Sequence, residues 1–182
     1  MSNALQILII AVALAMDAVS VSVAIGMRAP HSNQVEGLKL AISFALFQMF
    51  MPIIGWAVGN SIRSAVSTYS GWIAFVLLAL IGLKMIYEAF HQDDEAVPSH
   101  PSFKKIIALS IATSIDALVV GTTIGITKIP ILISVVIIGV VTFLLCAVAY
   151  FFAKHLGKLF GEYVEIVGGI VLVGIGFTFL FR

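Results

Sequence analysis

Two aspartates stand inside long apolar runs: Asp17 in "LAMDAVSVS", Leu14 to Ser22, and Asp116 in "SIDALVVG", Ser114 to Gly121. An aspartate at the centre of a membrane helix opposes insertion by roughly 2.5 to 3.5 kcal/mol. Neither stretch contains a basic residue to neutralise it. Two such acids point to a cation held between carboxylates. The competing reading, in which each is protonated or bonded to a neighbouring helix and only fixes packing, stays open at this level.

Residues three, four and seven positions away share a helical face with each acid. Around Asp17 these include Ala13, Ser20 and Ala24, and around Asp116 they include Ala112, Thr113, Val120 and Thr123. Ser20 and Thr113 therefore offer oxygen ligands on faces small enough for close helix approach. In "FQMFMP", Phe47 to Pro52, the proline has no N-H to give the carbonyl of Gln48. Gln48 thus presents a backbone and a side-chain oxygen to a cation, a hydroxyl or a water. Thr142 is its expected counterpart later in the chain. Met16 would bring a soft thioether that favours a transition metal over magnesium or calcium, or it fills the core. The candidate metal ligands are Asp17, Asp116, Gln48, Thr142, Ser20, Thr113 and Met16.

The elements that must position them are membrane helices. The 182 residues are 61% hydrophobic and 10% charged, against roughly 25% charged in soluble domains. Six segments reach the ~20 residues that a bilayer span needs: Ala4 to Met27, Leu38 to Asn60, Gly71 to Phe90, Lys104 to Ile126, Ile129 to Ala153 and Tyr163 to Phe181. The expectation is an all-α membrane protein of six transmembrane helices. The first run lacks a preceding positive residue and is too long for a signal peptide, so it is expected to remain attached. A net charge of +1 excludes a nucleic-acid footprint. Cys146, the single cysteine, cannot form an internal disulfide and reads as a small buried hydrophobe.

"MDAVSVSVAIG", Met16 to Gly26, aligns with "IDALVVGTTIG", Ile115 to Gly125: both read Asp-Ala, six residues, Ile-Gly. The polar stretch "HQDDEAVPSHPS", His91 to Ser102, separates them. The expected organisation is a first three-helix repeat over 1–90, a polar cytoplasmic loop over 91–103 and a second repeat over 104–182. An odd number of spans per half inverts the second half, and this would bring Asp17 and Asp116 together at the midplane. Gly55 with Gly59 and Gly121 with Gly125 have the spacing of helix-packing motifs. Lys84 and Glu88 are placed to pair at i,i+4, with a Lys84 to Glu165 bridge as an alternative. His31, His91, His100 and His155 form no His-x-x-x-His ligand pair and read as solvated. Seven of the ten Lys and Arg residues fall on one side of a six-span layout, which predicts extracytoplasmic termini.

"MDAVSVS", "MPIIGWAVG", "SIDALVVG" and "EIVGGIVLVGIG" resemble the MntP family of manganese exporters over essentially the full length. The resemblance implies efflux of Mn²⁺, as transported substrate rather than cofactor, across the inner (plasma) membrane, with Asp17 and Asp116 on the cation path. Some members carry an acid where this chain has Gln48. Alternative functions are export of another divalent metal, or of a small organic cation or amino acid. An intramembrane aspartyl protease is disfavoured because the Gly-x-Gly-Asp motif is missing. No phosphate-binding loop is present, so transport would be secondary.

Overall fold

The computed structural model describes residues 3–29, 34–90, 101–127, 129–156 and 158–180. They form six α-helices: α1 (Asn3–Arg28), α2 (Gln34–Val66), α3 (Ser70–Phe90), α4 (Phe103–Thr127), α5 (Ile131–Leu156) and α6 (Lys158–Leu180). There is no strand among the described residues. Five helices are long and apolar enough to span a bilayer, and α6 carries a shorter apolar stretch, Glu165–Phe179.

Several boundaries have a local cause. Ser102 caps α4: its carbonyl accepts from the Ile106 N-H at 3.0 Å, and its hydroxyl oxygen from the Lys105 N-H at 3.4 Å. Pro130 immediately precedes α5, where its missing N-H costs nothing, and its carbonyl accepts from the Ser134 N-H. At Asn60 polarity ends the expected span but not the helix. With no breaker in "NSIRSAV", α2 continues to Val66, and a 3-10 turn, Ser67–Tyr69, leads into α3. Pro52 is accommodated within α2.

The bundle buries its polar groups within an apolar core and turns large apolar side chains outward. Gln48, Ser114, Ser134 and Thr142 are fully buried, whereas Phe50, Leu80, Phe90 and Leu132 are exposed. In water this surface would aggregate; in a bilayer it is the solvated face. The protein is a multi-pass, all-α membrane protein.

Helices of one half make their main contacts with the other half. The principal neighbours are α1 with α5, α2 with α4, α3 with α6 and α2 with α5, followed by α1 with α6 and α3 with α4. Exchanging α1 with α4, α2 with α5 and α3 with α6 returns the same set. Such a pattern is what two interlocked copies of a three-helix unit would produce.

Glycines set the tightest crossing. A Cβ at Gly55 or Gly59 would overlap the α4 backbone at Leu118 or Thr122, and one at Gly121 or Gly125 would overlap the α2 backbone around Pro52 or Trp56 to Asn60. All four glycines thus serve packing, with backbone against backbone. Gly121→Leu is expected to lower the stability of detergent-purified protein by about 2 kcal/mol or more. Gly174→Ala, where an added Cβ meets nothing within 4 Å, should be neutral or stabilising by up to about 1 kcal/mol. Thermal unfolding followed by tryptophan fluorescence compares the two.

Candidate functional site

The Asp-Ala motifs lie at mid-helix. Asp17 is within two residues of the centre of the 26-residue α1, and Asp116 stands equally central in the 25-residue α4. These helices scarcely touch each other directly, yet the Asp17 and Asp116 side chains lie close enough to interact. Asp116 is buried and Asp17 partly so. Ala18 and Ala117, the second residues of the motifs, are both fully buried.

Two further charged helices converge on the pair. From α3, the Lys84 ammonium donates to both oxygens of Asp116, at 3.2 Å to Oδ1 and 3.3 Å to Oδ2. It also pairs with Glu88, one turn further along α3, at 3.0 Å. From α6, buried Glu165 accepts a hydrogen bond from Ser20 Oγ, and it lies close enough to Asp17 for the two charges to interact. Ser20 Oγ is also 2.9 Å from the Asp17 carbonyl oxygen. Lys84 and Glu88 pair as their spacing predicts, but the inter-helix partner of Lys84 is Asp116, with Glu165 on Ser20. Lys84 and Glu165 each stand only four residues from the centre of their helix.

Gln48 joins the two motif helices from α2. Its Nε2 donates to the Leu14 carbonyl at 3.3 Å and to the Thr113 carbonyl at 3.2 Å. Leu14 is three residues before Asp17, and Thr113 is three before Asp116. One amide therefore binds corresponding positions of α1 and α4. Its Oε1 is buried without a partner, as is the Thr142 hydroxyl. The Thr113 hydroxyl turns back to the Leu109 carbonyl at 3.0 Å. Met16 packs with the apolar core, against α6 at Gly168.

The other candidates lie apart from this cluster. Cys146 is fully buried among apolar residues of α1, α2 and α5, and His155 is exposed at the end of α5. His31, His91 and His100 fall outside the described residues. Among the described residues no three His, Cys, Asp or Glu side chains form a group able to hold a metal by themselves. The acids come instead as one close pair, with Glu165 tied to Ser20 and Asp116 covered by Lys84. That arrangement can compensate cations in the bundle interior.

Gln48→Leu removes both cross-helix hydrogen bonds and is expected to destabilise the protein by about 1 kcal/mol, the scale of interhelical hydrogen bonds in membranes. Chemical denaturation in mixed micelles reads the loss, with Ser61→Ala, at an exposed hydroxyl bonded within its own helix, as the unaffected reference.

Residues 31–180 match a family model described as "Mntp: Putative manganese efflux pump". A protein named "Putative manganese efflux pump MntP" from Methanosphaera stadtmanae is 47% identical over 176 residues, covering 97% of this chain and 98% of the relative. Proteins of the same name from Methanobrevibacter smithii and Clostridium perfringens are 43% and 39% identical, covering 98% and 97% of this chain and 97% and 93% of their own lengths. No solved structure matches. With four helices converging on paired membrane acids and this likeness along nearly the whole chain, the protein belongs to the Mntp family of manganese efflux pumps, a family of transporters rather than enzymes.

Proposed function

We propose that this chain exports Mn²⁺ from the cytoplasm by alternating access, with the cation held between Asp17 and Asp116. The observation that carries the reading is the placement of two mid-helix carboxyl groups, on helices from different halves, close enough to interact within the bundle. Two negative charges balance one dication, whereas an uncompensated ion in such an interior would be far costlier. The names of the relatives supply manganese and the outward direction. Oxygen atoms of Ser20, Gln48, Thr113 and Thr142 would complete a hard ligand set as the helices move, and Met16 adds a softer neighbour.

The two halves act as inverted repeats that rock about this midplane site. Their neighbours exchange in the way such a relation requires, and Gln48 bridges corresponding carbonyls of α1 and α4. In the plasma membrane the charge asymmetry sets the termini and the α2–α3 turn outside. Residues 91–103, Lys84, Glu88 and Glu165 then lie toward the cytoplasm. The membrane potential opposes outward movement of a dication by about 4.6 kcal/mol per 100 mV. Uphill export therefore needs a coupled ion, and a proton taken up by the carboxyl pair as the metal departs meets that need.

Expression in an exporter-deficient strain is expected to lower cellular manganese and restore growth on high manganese. Asp17→Asn and Asp116→Asn should each abolish the effect at equal membrane abundance. Elemental analysis of washed cells is the measurement. Export by folded variants as fast as wild type would exclude this site, and unchanged manganese with altered cobalt, cadmium, cation or amino-acid efflux would redirect the substrate.

A further inference from the structure

Lys84 places a permanent positive charge on a carboxylate that the proposed function gives to the substrate. Its Nζ approaches both oxygens of Asp116 almost equally, at 3.2 and 3.3 Å, so it covers the lone pairs through which that group would bind a metal. The same ammonium is 3.0 Å from Glu88 Oε2. The two partners differ in environment: the Asp116 side chain is 5% exposed and that of Glu88 is 48% exposed. Lys84, at 44%, stands between an interior acid and an accessible one.

A dication and an ammonium on one carboxylate repel each other at such range, so each weakens the other's hold on the group. Lysine hangs its charge on a flexible four-carbon stem, so Nζ can leave Asp116 without movement of α3. Glu88, already in contact on the same helix, keeps that charge compensated after it leaves.

We propose that Lys84 is a tethered counter-cation that competes with the transported metal for Asp116, yielding the carboxylate by turning wholly onto Glu88 and returning to drive release. This rests on the assignment of Asp116 to the cation path. It deepens that reading by giving the exporter a built-in competitor. Binding is weakened by the displacement of Lys84, and release is assisted by its return, so interior charge changes less over the cycle than with bare carboxylates.

The test uses full-length protein in detergent, with Mn²⁺ binding read from loss of the free aqueous Mn²⁺ signal in electron paramagnetic resonance, and efflux read in cells. Removing the competitor by Lys84→Met should tighten binding by about tenfold, the scale of direct coupling between contacting groups, while slowing efflux. Lys84→Arg, which keeps the charge, should stay near wild type in affinity. Glu88→Gln leaves Lys84 without its second partner and should weaken binding by about threefold. That loss should vanish in the double variant, because Glu88 acts only through Lys84.

Affinity unchanged or reduced in folded Lys84→Met overturns the proposal. Should that variant fail to fold, wild-type affinity in Glu88→Gln overturns it equally. Asp116→Asn separates the two readings. If wild type binds Mn²⁺ and Asp116→Asn binds it as well, the assignment of Asp116 fails and takes the Lys84 role with it. If Asp116→Asn loses binding while Lys84→Met and Glu88→Gln match wild type, the role of Lys84 alone is wrong.

Discussion

Compensation of charge inside an apolar bundle is the constraint that organises this protein. A carboxylate at the depth of Asp116 cannot be left to hydrocarbon, and its partner must come from another helix because its own offers only apolar and hydroxyl side chains near it. Lys84 on α3 meets that requirement for Asp116, while Ser20 on α1 does so for Glu165. Once these pairs are made, α3 is bound to α4 and α6 to α1. The remaining helices close around them through apolar and glycine contacts and the Gln48 hydrogen bonds. The charged groups thus tie together the two lesser helix contacts, and close packing makes the principal ones.

The repeated motif gains a physical meaning from this arrangement. Its aspartate supplies the interior acid, and its terminal glycine permits a close approach to a helix of the opposite half. Gly26 abuts the backbone of α5 at Tyr150, and Gly125 abuts that of α2 near Trp56 and Asn60. Chemistry and packing are therefore encoded ten residues apart or fewer in the same stretch of chain. At the mid-depth between them Gln48 reads both copies at once, binding the carbonyl three residues before each aspartate. An acid there would set negative charge against two carbonyl oxygens, so the amide suits this particular geometry. Its free oxygen remains directed into the protein.

Much of this was legible from residue types. Long apolar runs identify the helices because a bilayer imposes length and hydropathy on each independently, and the isolated aspartates stand out for the same reason. Glycine spacing at 55 and 59, and at 121 and 125, marks the α2–α4 crossing because close approach demands small side chains on both helices. The partner of Lys84 was not legible. At i,i+4 Glu88 is the pairing that local sequence displays, whereas Asp116 is brought within reach only by the packing of α3 on α4. The setting of Glu165 was not legible for a related reason: its depth depends on where α6 begins. The extension of α2 beyond Asn60 shows the converse limit, since hydropathy marks the membrane boundary and helix continuity answers to backbone propensity.

The interleaving of the halves has a consequence for how the chain is assembled. No two helices among the first three form a substantial contact, so the amino-terminal portion enters lipid without a tertiary structure of its own. Its first stable neighbour, for α2, is synthesised only when α4 emerges, and α1 must wait for α5. During that interval Asp17 is sheltered by neither Asp116 nor the rest of the bundle. Biogenesis therefore depends on keeping three loosely associated segments near the insertion machinery until the second half arrives, and truncation in the later helices removes the folding partners of the earlier ones.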